Sequence, residues 1–239
     1  MNERLDRILA TRLLISRREA QAALRAGRVT VDGAVCRDPA AKADAERQAV
    51  ALDGVPAGGD GFFYLMLNKP AGVLSATEDR RGETTALDLL PERYRKAALG
   101  VVGRLDKDAE GLLLLTNDGG LNHRLTSPRH HAVKVYLARL DAPADADDAA
   151  AFAAGMPLSD FTALPALLVP LPGCEARVEI AEGKFHQIKR MFLARGKTVL
   201  ALRRLAIGPL TLDPGLAPGA FRELTAAEKD ALLAASDRL

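Results

Sequence analysis

Residues Gly103-Arg104-Leu105-Asp106 place a carboxylate beside a cation on a glycine-flanked stretch. Lys107, Asp108 and Gly111 follow, then the four leucines Leu112 to Leu115, and Asn117-Asp118-Gly119-Gly120 closes the segment. A short apolar run between turn signals predicts a fully buried strand. The carboxylate would then sit on a loop held against a rigid element, which is how catalytic groups are commonly mounted. The same spacing also fits an aspartate that caps its own turn, so the choice rests on the rest of the chain.

Other segments carry charged and aromatic side chains, which on pattern alone also fit ordinary strand and helix faces. Val133 to Leu137 alternates as a strand would, with Lys134 and Tyr136 on one face. Glu182 to Leu193 has a helical period that predicts a helix with Phe185, Ile188 and Phe192 on its buried face, Lys189 and Arg190 beside that stripe, and Gly196 past its end. His123, His130, His131 and His186 show no metal-ligand grouping, and Cys36 and Cys174 stand apart without a Cys-x-x-Cys partner. No metal, redox centre or cofactor is expected.

The chain of 239 residues has a net charge of only +2, yet its charge is unevenly placed. The first 37 residues carry eight arginines against four acids, and the 21 residues from Lys184 to Arg204 hold seven cations and no acid. Two separated basic stretches favour an extended anionic ligand, nucleic acid first. No apolar run is long enough to span a membrane, and the amphipathic, acid-containing N-terminus is unlike a signal peptide. A monomeric, cytoplasmic protein is expected.

The elements that must position these groups fall into two parts. Leu5, Ile8 and Leu9 share a helical face, and Ser16-Arg17-Arg18-Glu19 is a capping box opening a second helix. The hairpin signal Asp32-Gly33 then separates two short strands. Arg17, Arg18, Arg25 and Arg28 would line the exposed side of that unit. A glycine-rich stretch from Asp53 to Gly61 marks a linker. Beyond it come strands at 62–67, 101–102, 166–169, 176–180 and 199–207, and helices near 86–90, 121–125 and 149–154. Thr225-Ala226-Ala227-Glu228 caps a terminal helix. The fold class is α+β: a small helix-hairpin domain over residues 1–59 with its linker, then a larger mixed, mainly antiparallel sheet flanked by helices over residues 60–239.

The segment RLDRILATRLLISRREAQAALRAGRVTVDG resembles the S4 RNA-binding domain. Behind it, Asn68-Lys69-Pro70-Ala71-Gly72-Val73, the Gly-Arg-Leu-Asp stretch, Lys134-Val135-Tyr136 and EGKFHQIKRM occur in the order that resembles the RsuA family of pseudouridine synthases. SPRHH and HQIKRM are most similar to family members that act on small-subunit ribosomal RNA. The resemblance implies isomerisation of a uridine with an essential Asp106, Lys189 against it, Tyr136 stacking on the flipped base and Arg104 displacing it. Lys69, Lys134 and Arg190 become candidates for phosphate contact, and the arginines of the first domain for RNA backbone. The substrate would be ribosomal RNA or a small-subunit assembly intermediate. A large-subunit synthase of the same family, or a non-catalytic assembly factor that kept the fold, are the alternatives. One position departs from the family pattern: Ala109 stands where Thr or Ser is usual, removing a hydroxyl that could support the loop.

Overall fold

The computed structural model describes residues 2–45, 47–57, 62–95, 97–127 and 132–237. Gly58, Gly59, Asp60 and Gly61 of the expected linker, and Pro128, Arg129, His130 and His131, lie outside them. The chain divides into two compact units, Met1–Phe63 with Leu90–Leu99, and Tyr64–Leu89 with Gly100–Leu239.

In the first unit, helices Leu5–Arg12 and Arg17–Arg25 are joined by a turn. Both bonds of the Ser16 capping box form, Glu19 N donating to Ser16 Oγ at 3.1 Å and Ser16 N to Glu19 Oε2 at 2.7 Å. Leu5, Ile8, Leu9, Ala20, Ala23 and Leu24 make one core with Val29 and Val50. Strands Ala34–Cys36, Val29–Val31, Val50–Leu52 and Val55–Pro56 lie side by side in that order. The hairpin turns through Asp32 and Gly33, both at positive φ (51° and 81°), the geometry that matches strand twist. Phe63 packs edge-on against Tyr94, ring centroids 5.8 Å apart, which joins 90–99 to this unit.

Asp6, in the first turn of the first helix, is fully buried and accepts bonds from Arg4 and, on the second helix, from Arg17 and Gln21 at 2.9, 3.1 and 2.8 Å. Those bonds, Arg4's first, hold its carboxyl well below the usual range despite the opposing effect of burial. A depressed folded pKa stabilises above the unfolded value of about 4, and that stabilisation is lost as pH falls toward the folded value. Asp6→Asn is therefore expected to cost on the order of 2 kcal/mol in urea unfolding at pH 7. The gap from wild type should narrow at pH 3; equal gaps at both pH values would contradict the ionic account.

The second unit is built on one large sheet. Among the described residues its strands run Leu167–Leu171, Glu175–Ile180, Lys134–Leu140, Val199–Ile207, Glu110–Thr116, Tyr64–Lys69 and Phe221–Glu223. Neighbours pair antiparallel except at one seam, where Arg203 and Arg204 pair in parallel with Glu110 and Gly111. Leu112 to Leu115 are fully buried, as four leucines between turns predict. Leu112 and Leu114 face a core with Tyr64, Met66, Leu121 and Leu232, while Leu113 and Leu115 pair with Leu67 and Leu65. No helix among the described residues is long and apolar enough to cross a membrane.

Two elements differ from expectation. Residues 86–90 are turns rather than a helix, and Glu92–Arg95 is the helical turn. Pro91 accounts for the shift, since it disfavours helical backbone at the residue before it and suits the start of a helix. Likewise the expected helix at 182–193 spans only Gln187–Ala194. Phe185 precedes it and is 74% exposed, so it does not belong to the buried stripe, which is Ile188, Met191 and Phe192.

Candidate active site

The loop that carries Asp106 enters the Glu110–Thr116 strand at the parallel seam, and it is tied down almost entirely through its backbone. Arg204 Nη2 donates to Gly103 O at 2.7 Å. Leu105 is held both ways by Ser75 Oγ, at 3.0 Å through its N–H and 2.8 Å through its carbonyl. Lys107 O accepts from Gly72 N at 2.8 Å and from Lys69 Nζ at 3.1 Å. Ala109 N donates to Asp106 O at 3.2 Å and its side chain is buried. The loop therefore keeps its shape without the hydroxyl absent at Ala109.

These ties leave the Asp106 side chain out of the turn. It accepts no hydrogen bond from a described backbone amide, unlike Asp79, which accepts from Arg81 N and Glu83 N at 2.7 and 3.0 Å. Its Oδ2 instead meets Lys189 Nζ at 2.9 Å, and His186 Nε2 lies 3.6 Å from Oδ1. Lys189 also reaches Asp108 at 2.6 Å. Burial pulls the Lys189 ammonium down, but the bonds to Asp108 and Asp106 outweigh it and leave its pKa raised. The cation consequently stays charged between the two carboxylates. The same bond holds the exposed Asp108 carboxyl below its ordinary range.

Arg104, Asp106, Tyr136 and Lys189 line one cleft, together with His186 and Ile188. Tyr136 and Arg104 also border an adjoining cavity of about 650 Å³ that Lys134, Asn122 and Glu182 help to line. Lys134 and Tyr136 do share a strand face, both nearly buried. Arg104 is exposed and forms no hydrogen bond or ion pair with a described residue.

Several expected nucleic-acid contacts are placed otherwise. Lys69 is fully buried and donates to the carbonyls of Pro70, Val73 and Lys107 at 2.9, 2.8 and 3.1 Å. Burial lowers its pKa to about 8. It clamps the Asp106 loop from beneath the surface. Lys134, 8% exposed and bonded to Ala132 O at 2.9 Å, is likewise lowered to about 8 by burial and then by Arg204. It faces the cavity rather than the outer surface. Arg190 pairs with Asp160, bonds Ser159 Oγ at 2.9 Å and lies 4.8 Å over the Phe161 ring. In the first unit Arg17 is held by Asp6 and Arg28 by Asp53, whereas Arg18 and Arg25 are exposed and unpaired among the described residues.

The cation run from Lys184 to Arg204 is therefore not an open patch. Lys189 and Arg190 have carboxylate partners, and Arg195 and Lys197 both pair with the buried Asp148, at 3.0 and 2.6 Å. Arg204 is fully buried. Only Lys184 and Arg203 of the seven are exposed without a partner among the described residues.

Arg204 is a residue of this site that sequence alone does not single out. Besides Gly103 O it donates to Leu112 O at 2.8 Å, and its guanidinium carbon lies 6.0 Å from the Tyr136 ring centroid. It thus joins the Asp106 loop, the buried strand and the Tyr136 ring. Strand alternation from the apolar Leu202 does place Arg204, but not Arg203, on the inner face.

The chain thus carries a small helix-hairpin unit and, in its second unit, a cleft that holds a carboxylate, a cation and an aromatic ring. The S4 domain profile matches residues 3–48, and that of RNA pseudouridylate synthase matches residues 63–164. Ribosomal small subunit pseudouridine synthase A of Salmonella typhimurium is 45% identical over 229 residues, covering 94% of this chain and 97% of that protein. An uncharacterised RNA pseudouridine synthase of Bacillus subtilis is 42% identical over 230 residues, covering 94% and 96%. A crystal structure of a pseudouridylate synthase superposes with a TM-score of 0.68 at 34% identity, covering 96% of this chain and 99% of that one. The chain belongs to the RNA pseudouridine synthase family.

Proposed function

We propose that this chain converts a uridine of small-subunit ribosomal RNA to pseudouridine, with Asp106 as the reacting carboxylate. The observation that carries the reading is the Asp106–Lys189 pair at 2.9 Å in a cleft walled by Tyr136. The wording of the Salmonella relative's name supports the choice of RNA. The reaction breaks the bond from ribose C1′ to uracil N1, turns the base, joins C1′ to C5 and releases the C5 proton. The ionised Asp106 can attack C1′ or remove the C2′ proton to give a glycal. A primary isotope effect from deuterium at C2′ marks the second route.

The target uridine must leave its stack, which costs a few kcal/mol, approximately, offset within the pocket. Tyr136 offers a flat apolar face that supports uracil in any rotation. The exposed guanidinium of Arg104 fills the place that the base leaves. Arg18 and Arg25 of the S4 domain contact RNA backbone, and the enzyme works as a cytoplasmic monomer on ribosomal RNA or a small-subunit assembly intermediate.

Tritium release from RNA labelled at uracil C5 tests this reading. Release is expected from small-subunit transcripts or assembly intermediates and not from large-subunit RNA. Tight binding without release would favour a non-catalytic assembly factor, and release from large-subunit RNA alone would favour the other branch of the family. Tyr136→Ala is expected to lower kcat by about 100-fold while RNA affinity changes little. Equal losses in both, measured by single-turnover release and filter binding, would count against stacking in the reaction.

A further inference from the structure

Phe185 and His186 stand at the mouth of the cleft as a stacked pair, ring centroids 3.8 Å apart and planes 18° from parallel. His186 reaches inward to 3.6 Å from Asp106, while Phe185 is 74% exposed, more than any other large apolar side chain among the described residues. A single exposed apolar residue is ordinary. What sets this one apart is how firmly the backbone presents it. Gln187, buried beneath the turn, accepts from Lys184 N at 3.0 Å and donates to Glu182 Oε1 at 2.7 Å. Arg190 N donates to His186 O at 2.9 Å, and Arg190 Nη1 reaches Phe185 O at 3.4 Å. His186 itself adopts left-handed backbone, φ 51° and ψ 30°, which a residue with a Cβ disfavours. The chain accepts local strain to hold an aromatic ring out into solvent beside the reacting carboxylate.

The geometry points to a second base-stacking site: Phe185, backed by His186, receives an unpaired nucleobase next to the flipped uridine. When a uridine is extruded, its neighbour in the strand loses a stacking partner. Phe185 supplies a replacement π-face outside the cleft, while its other face is covered by the imidazole. Base stacking on an aromatic tolerates any sequence, and the exposed Lys184 beside the ring suits the connecting phosphate. This site rests on the uridine-isomerising reading, because it is defined by the nucleotide beside the one that reacts.

The chain has no tryptophan, so Phe185→Trp places a single reporter at the proposed platform. Indole emission is expected to be quenched by a saturating small-subunit transcript but not by saturating polyphosphate, which carries charge without bases. Phe185→Ala is expected to raise KM for tritium release about tenfold, with the loss in KM rather than kcat, and Phe185→Trp to restore it. Unchanged indole emission at RNA saturation, or a Phe185→Ala enzyme with wild-type KM, would overturn the site. A wild-type enzyme that releases no tritium would defeat the isomerase reading instead, and in that case RNA-specific quenching alone would still decide whether bases stack at Phe185.

Discussion

Asp106→Asn is expected to reduce tritium release by roughly 10⁴-fold or more, with RNA affinity within a factor of about two of wild type. The size follows from chemistry, since a carboxamide is a poor nucleophile and no base at neutral pH. The retention of binding follows from structure. The loop around Asp106 is fixed by Ser75, Lys69, Gly72 and Arg204 through backbone groups, none of which uses the Asp106 side chain. Lys189 loses one anionic partner but keeps Asp108 at 2.6 Å, so no cation is left stranded. Asn is nearly isosteric with Asp and opens no cavity. Single-turnover release with filter binding on the same preparation checks both halves. Activity within tenfold of wild type would make Asp106 a spectator, and loss of binding in parallel would return it to a structural role.

Gly111→Ala is expected to lower the thermal midpoint by roughly 10 °C, from a cost of about 4 kcal/mol. Gly111 has φ +98° at the parallel seam, and a Cβ there would come within 2.3 Å of Arg204 O and 2.9 Å of Arg204 N. Both neighbours are backbone of a paired strand, so neither can rotate away. The strain would separate the two strands that bring Arg204 to the Asp106 loop, and turnover should fall with stability. Gly33→Ala is the control, because Gly33 also has positive φ, 81°, but a Cβ there would meet nothing within 4 Å. It should cost about 1 kcal/mol. Calorimetry of both variants separates close approach from backbone preference, and equal shifts would remove the steric account of the seam.

Much of this arrangement is legible in sequence because it is local. The four-leucine strand, the capping boxes at Ser16 and Thr225 and the Asp32-Gly33 turn depend on neighbours a few residues away. Their physics is complete within a short window. The carboxylate, Tyr136 and Lys189 were reached through motif resemblance, and the fold brings them into one cleft.

What sequence obscured is set by distant pairing. Lys197 and Arg195 look free until Asp148, some fifty residues earlier, is placed between them. Lys69 looks like a surface cation beside Pro70, yet its ammonium is taken up by the nearby carbonyls of Pro70 and Val73 and by a third, Lys107 O, that only the 103–109 loop supplies. Phe185 fits a helical stripe by spacing, but Gln187 folds back on Lys184 and Glu182 and starts the helix after it. Charge and periodicity measure what is available to a surface, and tertiary partners decide what remains there.

The most direct measurement is chemical mapping of pseudouridine in unmodified ribosomal RNA after incubation with the purified chain. Small-subunit RNA, free or in assembly intermediates, should acquire pseudouridine with the wild-type protein and none with Asp106→Asn, and large-subunit RNA should stay unmodified. Pseudouridine formed equally by the Asp106→Asn protein, or none formed by wild type in any of these RNAs, would contradict the account.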